Sequence, residues 1–96
     1  MVFILGEEPP QVKKWHVYIL RCRNSSFYTG MTGDLSRRVK EHNAGRGGRY
    51  TASFGPVELV WKQACRSRSS AMKKEARIKR LPRKRKECLV EGRARV

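Results

Sequence analysis

The chain has 96 residues, 39% of them hydrophobic, and carries 23 Lys plus Arg against 8 Asp plus Glu, a formal net charge of +15. That length fits one domain near the lower end of what buries an adequate core without cross-links, and so large a charge excess on so small a surface implies a polyanionic partner. No apolar run approaches the roughly 20 residues of a spanning helix and no basic segment carries a clean apolar face, so the sequence argues against a membrane and for nucleic acid.

Residues 1–14 open with the apolar run Met1 to Leu5, which lacks a basic start and is followed at once by Gly6-Glu7-Glu8-Pro9-Pro10. That is not a secretory signal, and the chain reads as cytoplasmic. The Pro-Pro pair and the missing period predict an extended arm, with an added edge strand over Val2 to Leu5 as the alternative.

The domain is expected over residues 15–90. Trp15 to Cys22 reads as a strand with Trp15, Val17 and Ile19 on one face and His16, Tyr18 and Leu20 on the other. Apolar residues on both faces predict a strand covered on both sides. Arg23 to Ser26 forms a polar turn, and Phe27 to Gly30 a second strand. Tyr18 and Tyr28 share a face only when an odd-numbered loop or a bulge joins the strands; two or four loop residues would split them. Gly30 and Gly33 let the backbone leave the sheet tightly and approach a ligand or another backbone.

Asp34, or alternatively Thr32, caps a short helix that Gly45 stops. Leu35 and Val39 form its buried stripe, and Arg38 and His42 lie one turn apart on the adjoining face. Gly45 to Thr51 is Gly-rich and basic without a P-loop ending, and reads as a loop that either approaches phosphates or merely connects. After Phe54-Gly55-Pro56, Val57 to Cys65 is a third strand, long enough to be the central one.

Ser67, Ser69 and Ser70 cap a helix from Ala71 to Leu81 that Pro82 ends, with Glu75 bordering its apolar stripe. Arg83 to Val90 predicts a further turn or two of helix, and residues 91–96 a basic tail. The charge run from Lys73 to Lys86 is a solvated face suited to a polyanion. Cys22, Cys65 and Cys88 are too widely spaced for a zinc framework and read as ordinary thiols in a reducing compartment.

Hydrolysis of a phosphodiester needs a group to orient or deprotonate water, a cation for the charge that builds on phosphorus, and usually a metal. Tyr18, Arg38 and Glu75 can supply these in turn, with Tyr28 and His42 beside them. Each residue also has a bland reading: rim tyrosines of a core, one arginine of many, a histidine at a helix C-terminus, and a Glu75–Lys79 helix pair.

The ordered set Val17-Tyr18-Ile19, Tyr28-Thr29-Gly30, Asp34-Leu35 with Arg38 and His42, and a late Glu75 resembles the GIY-YIG nuclease superfamily, most closely its small single-domain bacterial members of the UPF0213 type, which have a stretch similar to His42 to Thr51. The resemblance spans about Trp15 to Leu89. It implies an α+β fold, a three-stranded sheet flanked by helices, and a divalent metal, magnesium or manganese, on Glu75. It also associates Tyr18 with the attacking water, Tyr28 with the hydrogen-bond network, Arg38 with the scissile phosphate and His42 with proton acceptance from Tyr18. His16 stands where the first motif has Gly, Thr29 where the second has Ile or Val, and Met31 where excision-repair relatives have Lys.

The sequence therefore points to a metal-dependent DNA endonuclease, structure-selective and linked to DNA repair or recombination. Arg46, Arg49, Thr51, Lys73 and Lys79 are expected to contact nucleic acid, and a protein partner to direct specificity. The alternative is a non-catalytic basic protein that binds RNA or the ribosome on the same scaffold.

Overall fold

A computed structural model describes residues 14–95; the expected arm, Lys14 apart, lies outside the described residues. Strands β1 (Trp15–Arg21) and β2 (Phe27–Thr32) lead into helices α1 (Leu35–Asn43) and α2 (Arg49–Phe54), then β3 (Glu58–Cys65), α3 (Arg68–Lys79) and α4 (Arg83–Val90). The fold is α+β: one three-stranded antiparallel sheet, in the order β2-β1-β3, flanked by helices.

The central strand is β1, not the third strand as its length suggested. A strand paired along both edges and covered on both faces must be apolar throughout, and Val17, Tyr18, Ile19 and Leu20 are all 0–1% exposed. β3 carries exposed Glu58 and Lys62 and lies at an edge, where charge discourages pairing with another chain.

Alternation along β1 divides the core in two. Val17 and Ile19 face α3 and α4 and pack with Ala71, Ile78 and Leu89. Tyr18 and Leu20 face α1 and α2 and pack with Cys22 and Val57, bordered by Leu35, Val39 and Phe54. Full burial of an aliphatic side chain such as Ile19 or Leu20 stabilises the fold by roughly 1.5–3 kcal/mol. The β1–β3 register shifts between Ile19 and Leu20, which lie opposite Trp61 and Leu59. This bulge sends both Val60 and Trp61 to the α3–α4 side and leaves Leu59 on the other.

Local chemistry sets the helix ends. The Asp34 side chain accepts from Arg37 N at 3.2 Å and starts α1, which ends before Gly45 at φ +79°. At the far end of that helix, Asn43 Oδ1 accepts from Val57 N at 2.7 Å and ties the approach to β3 to α1. α3 begins ahead of the expected Ala71, because Ser67 is its cap and exchanges hydrogen bonds with Ser70. α2 replaces the last part of the expected loop. Ala52 N donates to Gly48 O at 3.0 Å, and the Tyr50 and Phe54 rings, one turn apart, lie 4.9 Å from each other. No helix among the described residues is long and apolar enough to cross a membrane.

Candidate active site

The hairpin register brings the two tyrosines together. Arg21 lies opposite Phe27, so residues 22–26 form an odd-numbered loop, and Tyr18 faces Gly30 while Tyr28 faces Leu20. Both tyrosines therefore point to the α1–α2 face, with ring centroids 6.4 Å apart. The backbone does not leave the sheet at Gly30, since β2 continues to Thr32. What Gly30 admits is the Tyr18 ring: a Cβ there would sit 2.5 Å from the hydroxyl oxygen and 2.6 Å from Cζ. Met31 lies on the opposite face and packs against the α3–α4 core.

α1 contributes Arg38 and His42 one turn apart. Tyr18 Oη and His42 Nε2 are 2.9 Å apart, and on the other side of the ring His42 Nδ1 is 2.8 Å from Thr51 Oγ1. Tyr28 meets the same imidazole edge-on, at 4.9 Å between centroids and 62° between planes. Arg38 Nη2 donates to Gly47 O at 2.9 Å, Nη1 donates to Glu41 Oε1 at 3.3 Å, and the guanidinium lies beside the Tyr18 hydroxyl.

Burial governs the protonation of this cluster. Tyr18 is 1% exposed, and its phenol is pushed up to about 12 by desolvation, with Tyr28 and Glu75 acting in the same direction and Arg38 against them. His42, also 1% exposed, is held below its ordinary 6.5 by burial and by the Arg38 charge, with Glu41 pulling the other way. Arg38 lies above its usual range: burial works against its charge, but bonding to Tyr18 and Glu41 outweighs that. At neutral pH the cluster thus holds a neutral phenol, a neutral imidazole and a guanidinium cation.

Glu75, on α3, acts on Tyr18 through space; its side chain is 22% exposed, and its carboxylate is paired with Lys79 Nζ at 3.4 Å. Among the described residues there is no group of three or more His, Cys, Asp or Glu able to hold an ion. One hard carboxylate still suits magnesium, which keeps several waters and shares substrate phosphate oxygens.

Arg46, Arg49, Lys73 and Lys79 are exposed. Thr51 is not available to nucleic acid as the sequence suggested: it is 1% exposed and turned inward onto His42. The sequence reading also passed over Gly47 and Glu41. A Cβ on Gly47 would lie 2.5 Å from His42 Cγ and 2.7 Å from its Cα, so only glycine lets this loop close over the imidazole. Its place in a Gly-Gly pair was the available signal, and it suggested phosphate binding instead. Glu41 lies three residues after Arg38, a spacing at which helix side chains meet.

Comparisons with known proteins agree with this architecture. Residues 14–87 match the family model of the GIY-YIG catalytic domain. A UPF0213 protein of Halobacterium salinarum is 49% identical over 74 residues, covering 77% of this chain and 96% of that one. A UPF0213 protein of Vibrio cholerae is 46% identical over 83 residues, covering 85% and 82%. The solution NMR structure of the UPF0213 protein of Bacillus halodurans is similar at a TM-score of 0.54 with 45% identity, covering 81% of this chain and 83% of that one. A solution NMR structure of an E. faecalis protein is similar at 0.58 with 39% identity, covering 83% and 85%.

Proposed function

The chain belongs to the GIY-YIG catalytic-domain family, and on that premise we propose that it is an endonuclease hydrolysing phosphodiester bonds of DNA. The observation that carries this reading is the Tyr18 hydroxyl 2.9 Å from His42 Nε2, with Arg38 beside it. A phenol held near 12 is not a phenolate at neutral pH, so Tyr18 works as a relay. It takes a proton from the attacking water while passing its own to the neutral imidazole. The water oxygen bonds to phosphorus, the bond to the leaving oxygen breaks, and that oxygen takes a proton from solvent.

Arg38 has two tasks. In the free protein it lies beside the hydroxyl of Tyr18, a residue only 1% exposed. A phosphate that draws the guanidinium onto its oxygens is brought to the phenol and meets a fixed cation where charge develops. Tyr28, edge-on to His42, limits the motion of the ring that receives the proton. Glu75 is the residue that would hold a divalent ion, magnesium or manganese, which when bound polarises a phosphoryl oxygen.

Affinity comes from Arg46, Arg49, Lys73 and Lys79, whose phosphate contacts carry no sequence information. Selectivity is therefore assigned to DNA shape, such as a branch arising in repair or recombination, and to a partner protein in the cytoplasm. One observation favours a competing reading, a DNA- or RNA-binding protein without hydrolysis: the Glu75 carboxylate is paired with Lys79. The test is incubation of labelled single-stranded, duplex and branched DNA, and of RNA, with magnesium, manganese or chelator. Metal-dependent cutting of DNA supports the nuclease; tight, salt-sensitive binding with no cutting under any condition supports the competitor.

A further inference from the structure

Thr51 has no part in the proton transfer above, yet it is buried and its hydroxyl is 2.8 Å from His42 Nδ1. The second neighbour of that hydroxyl is Gly48 O at 3.4 Å. A carbonyl oxygen only accepts, so this bond uses the one proton Thr51 has. Thr51 Oγ1 must then accept from Nδ1, and Nδ1 must carry the imidazole proton. The other end of the chain agrees with this. Arg38, beside the Tyr18 hydroxyl, only donates, so the phenol proton is free to be given to a bare His42 Nε2; a hydroxyl can also accept, so this contact fits the tautomer without setting it.

We infer that Thr51 is a positioning residue which, by accepting from His42 Nδ1, holds the imidazole in the tautomer whose Nε2 lone pair faces the Tyr18 hydroxyl. The protons then point one way, from Tyr18 to His42, from His42 to Thr51 and from Thr51 to Gly48 O. A neutral imidazole with the opposite tautomer would aim a hydrogen at Tyr18 and could not take its proton. Gly47 belongs to the same device, because without a side chain it lets the loop fold over His42 and seat the first turn of α2, where Thr51 meets Gly48 O, against the ring. The catalytic consequence rests on the nuclease reading; the tautomer does not.

The experiment is nitrogen-15 NMR of the histidine rings at neutral pH in the full chain, with the signals of the only other histidine, His16, removed by a His16→Ala variant. The natural protein should show His42 protonated at Nδ1. Thr51→Ser should keep that pattern, and Thr51→Val, which preserves shape and removes the hydroxyl, should lose it to a mixture of tautomers. In cleavage assays Thr51→Val should lower kcat by about 100-fold with KM little changed, the size expected for a misplaced reacting group; Thr51→Ser should restore most of it. A proton on Nε2 in the natural protein, or an unaltered pattern in Thr51→Val, overturns the inference. If Thr51→Val does not fold, the natural protein and Thr51→Ser decide by the same signals. If the natural protein shows the Nδ1 proton but cuts no DNA, the nuclease reading fails and the tautomer assignment stands.

Discussion

The Tyr18 hydroxyl and His42 Nε2 lie 2.9 Å apart, and each residue is 1% exposed, so the proton between them is shared out of reach of bulk water. Tyr18→Phe removes the relay and leaves Nε2 without its partner. Turnover should fall by about 10²–10⁴-fold, and stability by about 1–3 kcal/mol, the usual cost of an orphaned buried polar atom. Single-turnover cleavage and denaturant unfolding measure the two losses separately.

Gly30→Ala places a methyl group 2.5 Å from the Tyr18 hydroxyl oxygen, and Gly47→Ala places one 2.5 Å from His42 Cγ. Both neighbours are buried and cannot move aside freely. Each substitution should cost about 1–3 kcal/mol as an overpacked site and should depress cleavage more than DNA affinity. Thermal unfolding together with a parallel binding titration tests this pair.

Folding should become less favourable below pH 6.5. His42 lies below its ordinary 6.5 in the folded state, through burial and the Arg38 charge, so between that lowered value and 6.5 the unfolded chain binds more protons. Stability contributed by the neutral imidazole is complete above 6.5 and is lost as pH falls through the lowered folded value. Tyr18, Tyr28, Arg38 and Glu41 face or surround the ring. His42→Gln should flatten this dependence in urea midpoints measured across that range, and cleavage by the natural protein should fall over the same interval.

Phosphate contacts should appear in the salt dependence of DNA binding. Arg46→Ala, Arg49→Ala and Lys73→Ala should each reduce the slope of log affinity against log salt by about 0.7–0.9, because all three side chains are exposed. Thr51→Val should leave the slope unchanged, because Thr51 is buried against His42. Affinity measured at several salt concentrations distinguishes the two kinds of residue.

The sequence made some of this legible and hid the rest for physical reasons. Apolar residues on both faces from Trp15 to Leu20 announce a strand covered on both sides, and Asp34, Gly45 and Pro82 punctuate the helices by backbone chemistry that acts locally. Which strand is central depends on what pairs with its two edges, and strand length does not report that. α2 is short and follows two glycines, so it reads as loop, and its Tyr50–Phe54 contact one turn apart is visible only in the folded chain. Thr51 was misread because a threonine in a basic loop looks the same whether it faces a phosphate or an imidazole. Gly30 was recognised as a place of close approach, but the group that approaches is the Tyr18 ring, a contact fixed only by the hairpin register.

The most direct test of the central claim compares the natural protein with Glu75→Ala and Tyr18→Phe in cleavage of one branched DNA substrate with magnesium, alongside binding of the same DNA. The account predicts cutting by the natural protein, a loss of at least about 100-fold in either variant, and affinity within about threefold for all three, since neither residue supplies phosphate charge. Undiminished cutting by both variants would contradict it, because the hydrolytic centre would then lie elsewhere.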